Sequence, residues 1–244
     1  MKKTYRYIMG KNCIHEVLKI SPERIVEVFT THRDFDDSLS QLILKHKIPL
    51  KNSSKKELFK LVESESHQSF VAAVKEKEAP TVKGFLKNAR KLDTSLVLIL
   101  DSLSDPQNLG TILRASECFG VDLVIFSKNR GVDLTPVVSK TSVGATELVP
   151  ICKVSNLAET IKAFQKEDYW AVACEAKEGS SSLYNFDFPK KTLLILGSEG
   201  KGIQPLLSKY SDFHIQIPML GQIDSLNVSQ ATALFLFKFV SQYP

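Results

Sequence analysis

The stretch LLILGSEGKGI, residues 193–203, sets three glycines, Gly197, Gly200 and Gly202, behind an apolar run, with the carboxylate of Glu199 among them. Glycine loops after a strand often turn backbone N–H groups toward a phosphate. The spacing here is not a phosphate loop, which needs four residues between its first Gly and a Gly-Lys-Ser/Thr end. The dinucleotide fingerprint runs Gly-x-Gly-x-x-Gly, and this loop runs Gly-x-x-Gly-x-Gly. Glu199 would also repel an incoming phosphate. The loop therefore suits a guest without phosphates, or it is only a sharp turn that needs glycine for positive φ.

Two other stretches carry groups able to do chemistry. In DSLSDPQNLGTILRASECFG, Asn108 and Arg114 are the reactive-looking side chains. Leu109, Ile112, Leu113 and Phe119 recur at helical spacing as a buried stripe, and Arg114 lies nearly opposite it. It faces solvent, a cleft or a partner, and a plain surface arginine satisfies the same pattern. In IPMLGQIDSLNVSQATA, Asn227 sits at a helix start between Ser225 and Ser229, where Ser and Asn also serve as ordinary caps.

The elements that would position these groups follow from periodicity. SLVLILD (95–101) reads as a strand buried on both faces. Asp105 and Pro106 open a helix that ends at Gly120. VDLVIF, ELVPIC, YWAVACE, TLLILG and DFHIQIP read as further strands. SNLAETIKAFQKED reads as a helix, and a long helix runs from about Ser225 to the C-terminus. Strands alternating with helices predict an α/β domain with a mostly parallel sheet, whose ligands collect at the C-terminal strand ends. Before it, RIVEVFTT and SFVAAVKE read as strands, with helices over 36–47 and 53–62. The charged, Pro-bearing stretch KEKEAPTVKG reads as a linker. This divides the chain into 1–78, a linker at 79–93, and 94–244.

Residues 1–93 hold 19 Lys and Arg against 12 Asp and Glu, a surplus of seven positive charges. Residues 94–244 hold 13 against 15, a surplus of two negative charges. A basic front part suits a polyanion-binding module, and a lysine-rich solvated surface would look the same. Cys13, Cys118, Cys152 and Cys174 are scattered without a C-x-x-C pair, which argues against zinc or a disulfide framework and for a reducing cytoplasm. No apolar run is long enough for a membrane span. The basic N-terminus lacks the apolar stretch of a signal peptide.

Taken together, DPQNLGTILRASECFG, LILGSEGKGI and IPMLGQIDSLNVSQATA resemble, in order and spacing, the three motifs of the SpoU (TrmH-like) RNA 2′-O-ribose methyltransferases of the SPOUT class. The matching residues include Asn108, Gly110, Arg114, Phe119 and Gly120. The resemblance covers about 94–244. SHQSFVAAV is similar to the HQGIVA strand of the family's small ribosomal-protein-like RNA-binding domain, with Ser69 in place of the glycine.

The resemblance implies a trefoil-knotted C-terminal domain, a homodimer, and S-adenosylmethionine as the guest of the glycine loop. The cofactor's sulfonium cation makes the Glu199 carboxylate tolerable. Leu196, Gly197, Ile217, Leu226 and Asn227 would hold this cofactor, largely through backbone groups, so a side chain at 197 is expected to fill ligand space. Arg114, Asn108, Glu199, Ser225 and Asn227 would serve catalysis, Glu199 by organising the RNA side or by holding Arg114. No histidine of the three motifs offers a base, and no metal is implied. The family assigns the base to the position of Arg114. Because a guanidinium keeps its proton, stabilising the developing alkoxide suits it better. The implied substrate is a guanosine ribose of large-subunit ribosomal RNA. Transfer RNA is the alternative, as is a catalytically silent RNA-binding protein of the same fold.

Overall fold

The computed structural model describes residues 5–243. In chain order the elements are β1 (Tyr5–Met9), α1 (Lys11–Ile20), β2 (Ile25–Thr30), α2 (Ser38–Lys45), β3 (Leu50–Asn52), α3 (Lys55–Val62) and β4 (Phe70–Lys75). There follow α4 (Val82–Ala89), β5 (Ser95–Leu100), α5 (Pro106–Cys118), β6 (Leu123–Ser127), α6 (Pro136–Thr141), β7 (Ile151–Val154), α7 (Leu157–Gln165) and β8 (Trp170–Cys174). The chain closes with β9 (Ser181–Ser182), β10 (Lys191–Leu196), α8 (Pro205–Tyr210), β11 (Phe213–Gln216) and α9 (Val228–Gln242). They divide into two compact units, Met1–Glu78 with Leu134–Leu148, and Ala79–Asp133 with Val149–Pro244.

The first unit carries a four-stranded sheet in the order β1-β4-β2-β3. β4 pairs antiparallel with both β1 and β2. Every residue of β4 except Lys75 is buried, because helices cover both faces. The segment 134–148 belongs to this unit although it lies between β6 and β7 in sequence. It brings Glu147, 2% exposed, against the guanidinium groups of Arg6 and Arg24. Lys77 Nζ donates to the Glu147 carbonyl, and Arg6 also donates to Ser139 Oγ at 3.3 Å. Burying a carboxylate is costly unless it is paired, so these cations make the position of Glu147 possible.

The second unit carries seven strands in the order β7-β6-β5-β10-β8-β11-β9, every pair parallel. The central strands β5 and β10 are buried over nearly their whole length, as their unbroken apolar runs require. Leu100 pairs with Leu196 and with Phe126, and Leu196 with Cys174. The strands therefore end level, and the loops that leave them at Asp101, Lys128, Glu175 and Gly197 start at one rim of the sheet.

Two expectations are corrected. The stretch 79–93 is not a linker without structure. Thr81 caps α4, accepting the Gly84 N–H at 3.1 Å, and Leu86 and Ala89 join the core of the second unit with Val82 and Phe85 against it. Those four recur at helical spacing, which the lysines between them obscure. ELVPIC is not a strand throughout. Ala145–Glu147 forms a 3-10 turn, and the strand begins at Ile151 after Pro150, which has no N–H to give a ladder.

Candidate active site

Three loops at the rim of the parallel sheet bring side chains together. Asp105 caps α5, its Oδ1 accepting the Gln107 N–H at 2.8 Å, and Pro106 fixes the first helical residue. This places Asn108 in the first turn of α5, 7% exposed. The glycine loop after β10 is closed by reciprocal bonds, Ser198 N to Gly202 O at 3.1 Å and Gly202 N to Ser198 O at 2.8 Å. Gly200 and Gly202 take positive φ within it. The three residues between the paired backbones project Glu199 toward α5.

Asn108 Nδ2 donates to Glu199 Oε1, and Asn227 Nδ2 donates to Asn108 Oδ1 at 3.0 Å and to Glu199 Oε1 at 3.5 Å. Asn227 also caps α9, its Oδ1 accepting the Ser229 N–H at 2.8 Å and the Ser229 hydroxyl at 2.6 Å. One amide therefore caps a helix with its oxygen and joins the cluster with its nitrogen. The carboxylate in the glycine loop is thus met by two amide donors, one in the first turn of α5 and one at the N-cap of α9, where helix dipoles also favour negative charge. Glu199 Oε1 is engaged, and Oε2 has no partner among the described residues.

Glu199 does not hold Arg114. Arg114 is exposed and has no hydrogen bond or ion pair among the described residues. It lies six residues beyond Asn108, about 9 Å further along the axis. Within one chain, α5 thus separates Arg114 from the three-residue cluster. Ser225 is exposed, stands before α9, which begins at Val228, and donates to Asp224 at 3.0 Å. His214 pairs with Glu175, Nδ1 to Oε1 at 2.8 Å, and takes no part in the cluster.

The residues expected to hold a ligand fall into two groups. Leu196 ends β10 almost fully buried, and Gly197 follows it. An ideal Cβ on Gly197 would lie 2.1 Å from Gly202 C and 2.3 Å from Ile203 N. Glycine is thus required here because the loop folds back on itself. This corrects the expectation that a side chain at 197 would fill ligand space. Ile217 follows β11 half-buried, and Leu226 is 40% exposed at the far end of the same loop. Among the described residues, the backbone of 217–226 makes no hydrogen bond to other backbone groups.

Sequence reasoning missed Asp101. It is fully buried at the end of β5, where its Oδ2 accepts the Gln204 N–H at 2.8 Å. Oδ1 accepts Gln204 Nε2 at 2.5 Å and Ser102 Oγ at 2.8 Å. These bonds tie the start of the α5 loop to the end of the glycine loop. An ionisable residue ending an otherwise apolar strand was the available signal.

A polar cluster built from three loops at the C-terminal rim of a parallel sheet marks an α/β protein that binds and works on a ligand there. Comparison with known proteins narrows this. The profile of the SpoU rRNA methylase family matches residues 95–237. A second profile, for the substrate-binding part of RNA 2′-O ribose methyltransferases, matches residues 7–80. The chain belongs to the SpoU rRNA methylase family. It is 38% identical over 238 residues to the 23S rRNA (guanosine-2′-O-)-methyltransferase RlmB of Shewanella oneidensis, covering 96% of each chain. It is 40% identical over 173 residues to a putative TrmH family tRNA/rRNA methyltransferase of Staphylococcus aureus, covering 70% of this chain and 69% of the other. The SpoU methyltransferase AviRb from Streptomyces viridochromogenes, crystallised with AdoMet, shares the fold with a TM-score of 0.81 at 20% identity, over 98% of this chain and 91% of that one.

Proposed function

We propose that this protein transfers a methyl group from S-adenosylmethionine to the ribose 2′-hydroxyl of a guanosine in 23S ribosomal RNA. The observation that carries the proposal is the Asn108–Glu199–Asn227 cluster, built from the three motifs of a family whose RlmB members align with this chain end to end. A catalytically silent RNA-binding protein would have no need to hold these three side chains together.

The residues fit the cofactor. The backbone of 217–226, without backbone–backbone hydrogen bonds among the described residues, offers donors and acceptors for an adenine and an amino-acid end. The exposed Leu220, Ile223 and Leu226 offer apolar surface. Leu196, Gly197, Ile217, Leu226 and Asn227 would hold it. When bound, it supplies an electrophilic methyl on a sulfonium sulfur. Asn108, through its link to Glu199 and Asn227, keeps the α5 turn and the glycine loop in register, so the ribose meets a preorganised wall. Glu199 Oε2 is free to accept a hydrogen bond from the substrate. Arg114, with its donors unoccupied, would bind the adjoining phosphate and stabilise negative charge developing on the 2′-oxygen. Ser225, exposed beside Asp224, would orient either ligand.

The finer organisation belongs to the same proposal. Residues 1–78 would bind RNA, and 94–244 would hold the cofactor and form the knot. Helix α9 packs back onto α5 within this part. A homodimer is supported by α9. It buries Phe235, Leu236 and Phe239 in its own chain yet leaves Leu234 44% and Phe237 61% exposed, with Phe119 edge-on to Phe237. The cytoplasm is the compartment where such an RNA is met.

The test is methyl transfer from labelled S-adenosylmethionine to unmodified 23S rRNA, unmodified transfer RNA and 2′-deoxy oligonucleotides. Label appearing as 2′-O-methylguanosine in 23S rRNA alone is the expected result. Label confined to transfer RNA moves the substrate, and no label on any RNA removes the enzymatic reading. Sedimentation at equilibrium reports the dimer.

A further inference from the structure

The loop after β6, KNRGVD (128–133), belongs to none of the three motifs, yet it is held in place on two sides. Its backbone is pinned to the loop after β5, with Val132 N donating to Leu103 O at 2.7 Å. Gly131 takes φ +87°, and a Cβ there would lie 2.5 Å from Leu103 O. The side chain of Arg130 is pinned as well. Its Nη1 donates to Gln204 Oε1 at 2.5 Å, and Gln204 is in turn held by the buried Asp101 carboxylate through both its backbone N–H and its side-chain amide.

An exposed arginine held this way gains little stability, because a surface hydrogen bond must offset the entropy of ordering a long side chain. Its other guanidinium donors have no partner among the described residues. Arg130 also lines, with Leu100, Leu103, Leu109, Phe126 and Val132, a small cleft at the strand-end rim. Leu109 is the neighbour of Asn108 in the first turn of α5. Lys128, also exposed, adds a second positive charge to the loop. The relay from a buried acid to an exposed, preoriented guanidinium beside the candidate site is the geometry expected of a group that meets an anion.

We propose that Arg130 contacts the RNA, taking a backbone phosphate flanking the target nucleotide, and that Asp101 and Gln204 are positioning residues that fix its guanidinium. The proposal rests on the RNA reading of the same rim. Gln204 fixes one edge of the fork, leaving the remaining N–H groups to a phosphate, which accepts two parallel hydrogen bonds from arginine.

The experiment is filter binding of an unmodified 23S rRNA transcript over a salt series, with full-length wild type, Arg130→Ala, Arg130→Lys, Gln204→Leu and the double variant Arg130→Ala/Gln204→Leu. Arg130→Ala should weaken binding about tenfold, equivalent to about 1.4 kcal/mol. It should also make the log–log salt slope shallower by roughly 0.7, the value for one single-strand phosphate. Arg130→Lys should keep the slope but lose part of the affinity. Gln204→Leu should weaken binding less than Arg130→Ala, and add little in the Arg130→Ala background. Cofactor affinity should stay within about twofold throughout, since about 0.4 kcal/mol separates the two. A purely structural role for Arg130 would lower the melting temperature and leave the slope unchanged, and that outcome overturns the proposal. So does a full Gln204→Leu effect on top of Arg130→Ala. Wild-type methyl transfer to the same transcript reports the enzymatic reading separately. Binding that depends on Arg130 without transfer sinks that reading and leaves this one standing, while wild type that does not bind the transcript overturns both.

Discussion

The sharpest consequence of the glycine loop concerns two glycines three residues apart. Gly197 has no positive φ, so alanine there meets no conformational penalty, only a steric one. Its Cβ would sit 2.1 Å from Gly202 C, 2.3 Å from Ile203 N and 2.4 Å from Gly202 O, all backbone atoms that no rotamer can move aside. The loop must open. Opening breaks the two Ser198–Gly202 bonds, each worth about 1 kcal/mol net. It also draws Glu199 away from the Asn108 amide, a bond to a charged group worth about 1.5–3 kcal/mol. These net values already include exchange with water, so the expected total for Gly197→Ala is about 3.5–5 kcal/mol, or roughly 7–20 °C in melting temperature for a chain of this size. Methyl transfer should fall with it, since Glu199 no longer braces the α5 turn. Gly200 is the control. It takes φ +75°, and a Cβ added there would meet nothing within 4 Å, so Gly200→Ala should cost only the left-handed backbone penalty of about 1 kcal/mol. Thermal melts of both variants, with transfer assayed on each, decide the matter. Equal melting temperatures for the two, or a Gly197→Ala protein as active as wild type, would refute the steric argument.

Arg114→Ala should leave stability within about 0.5 kcal/mol, since the side chain is exposed and unpartnered among the described residues. It should lower methyl transfer about 100-fold or more, and a near-normal rate in single-turnover assays would remove Arg114 from the mechanism. Glu147→Ala should destabilise the full chain by about 3–5 kcal/mol, because Arg6 and Arg24 would be left without their buried counter-charge. Denaturant melts report this, and a shift under 1 kcal/mol would show the pair to be dispensable. Burial raises the Glu175 carboxyl, but hydrogen bonds from Ser208, Lys177 and His214, with the Lys177 charge, outweigh it and hold the group below its ordinary value of 4.5. Its stabilisation is therefore complete above that value and is lost as pH falls through the lowered one. Glu175→Gln should flatten this acid limb in pH-dependent melts, and an unchanged limb would assign the acid sensitivity elsewhere.

Much of the second unit was legible in the amino acids themselves. Strands β5 and β10 announce themselves as unbroken apolar runs because a strand covered on both faces has no reason to alternate. The start and end of α5 are written in Asp105, Pro106 and Gly120, whose effects on the backbone are local. The family motifs likewise lie in contiguous stretches, so Asn108, Glu199 and Asn227 could be picked out before any geometry was known. Their mutual bonds could not. Asn108 and Asn227 are 119 residues apart, and only the level ends of parallel strands bring their loops to one rim. The same holds for Asp101, Gln204 and Arg130, which no short motif links. Helix α4 hid behind its own lysines, because solvated charges on one face of a short helix blur the apolar period of the other. Gly197 was chosen correctly as special and for the wrong reason. Sequence reports that a side chain is missing, whereas the atoms that would have met it are set by how the chain closes on itself, and that is decided by tertiary contacts alone.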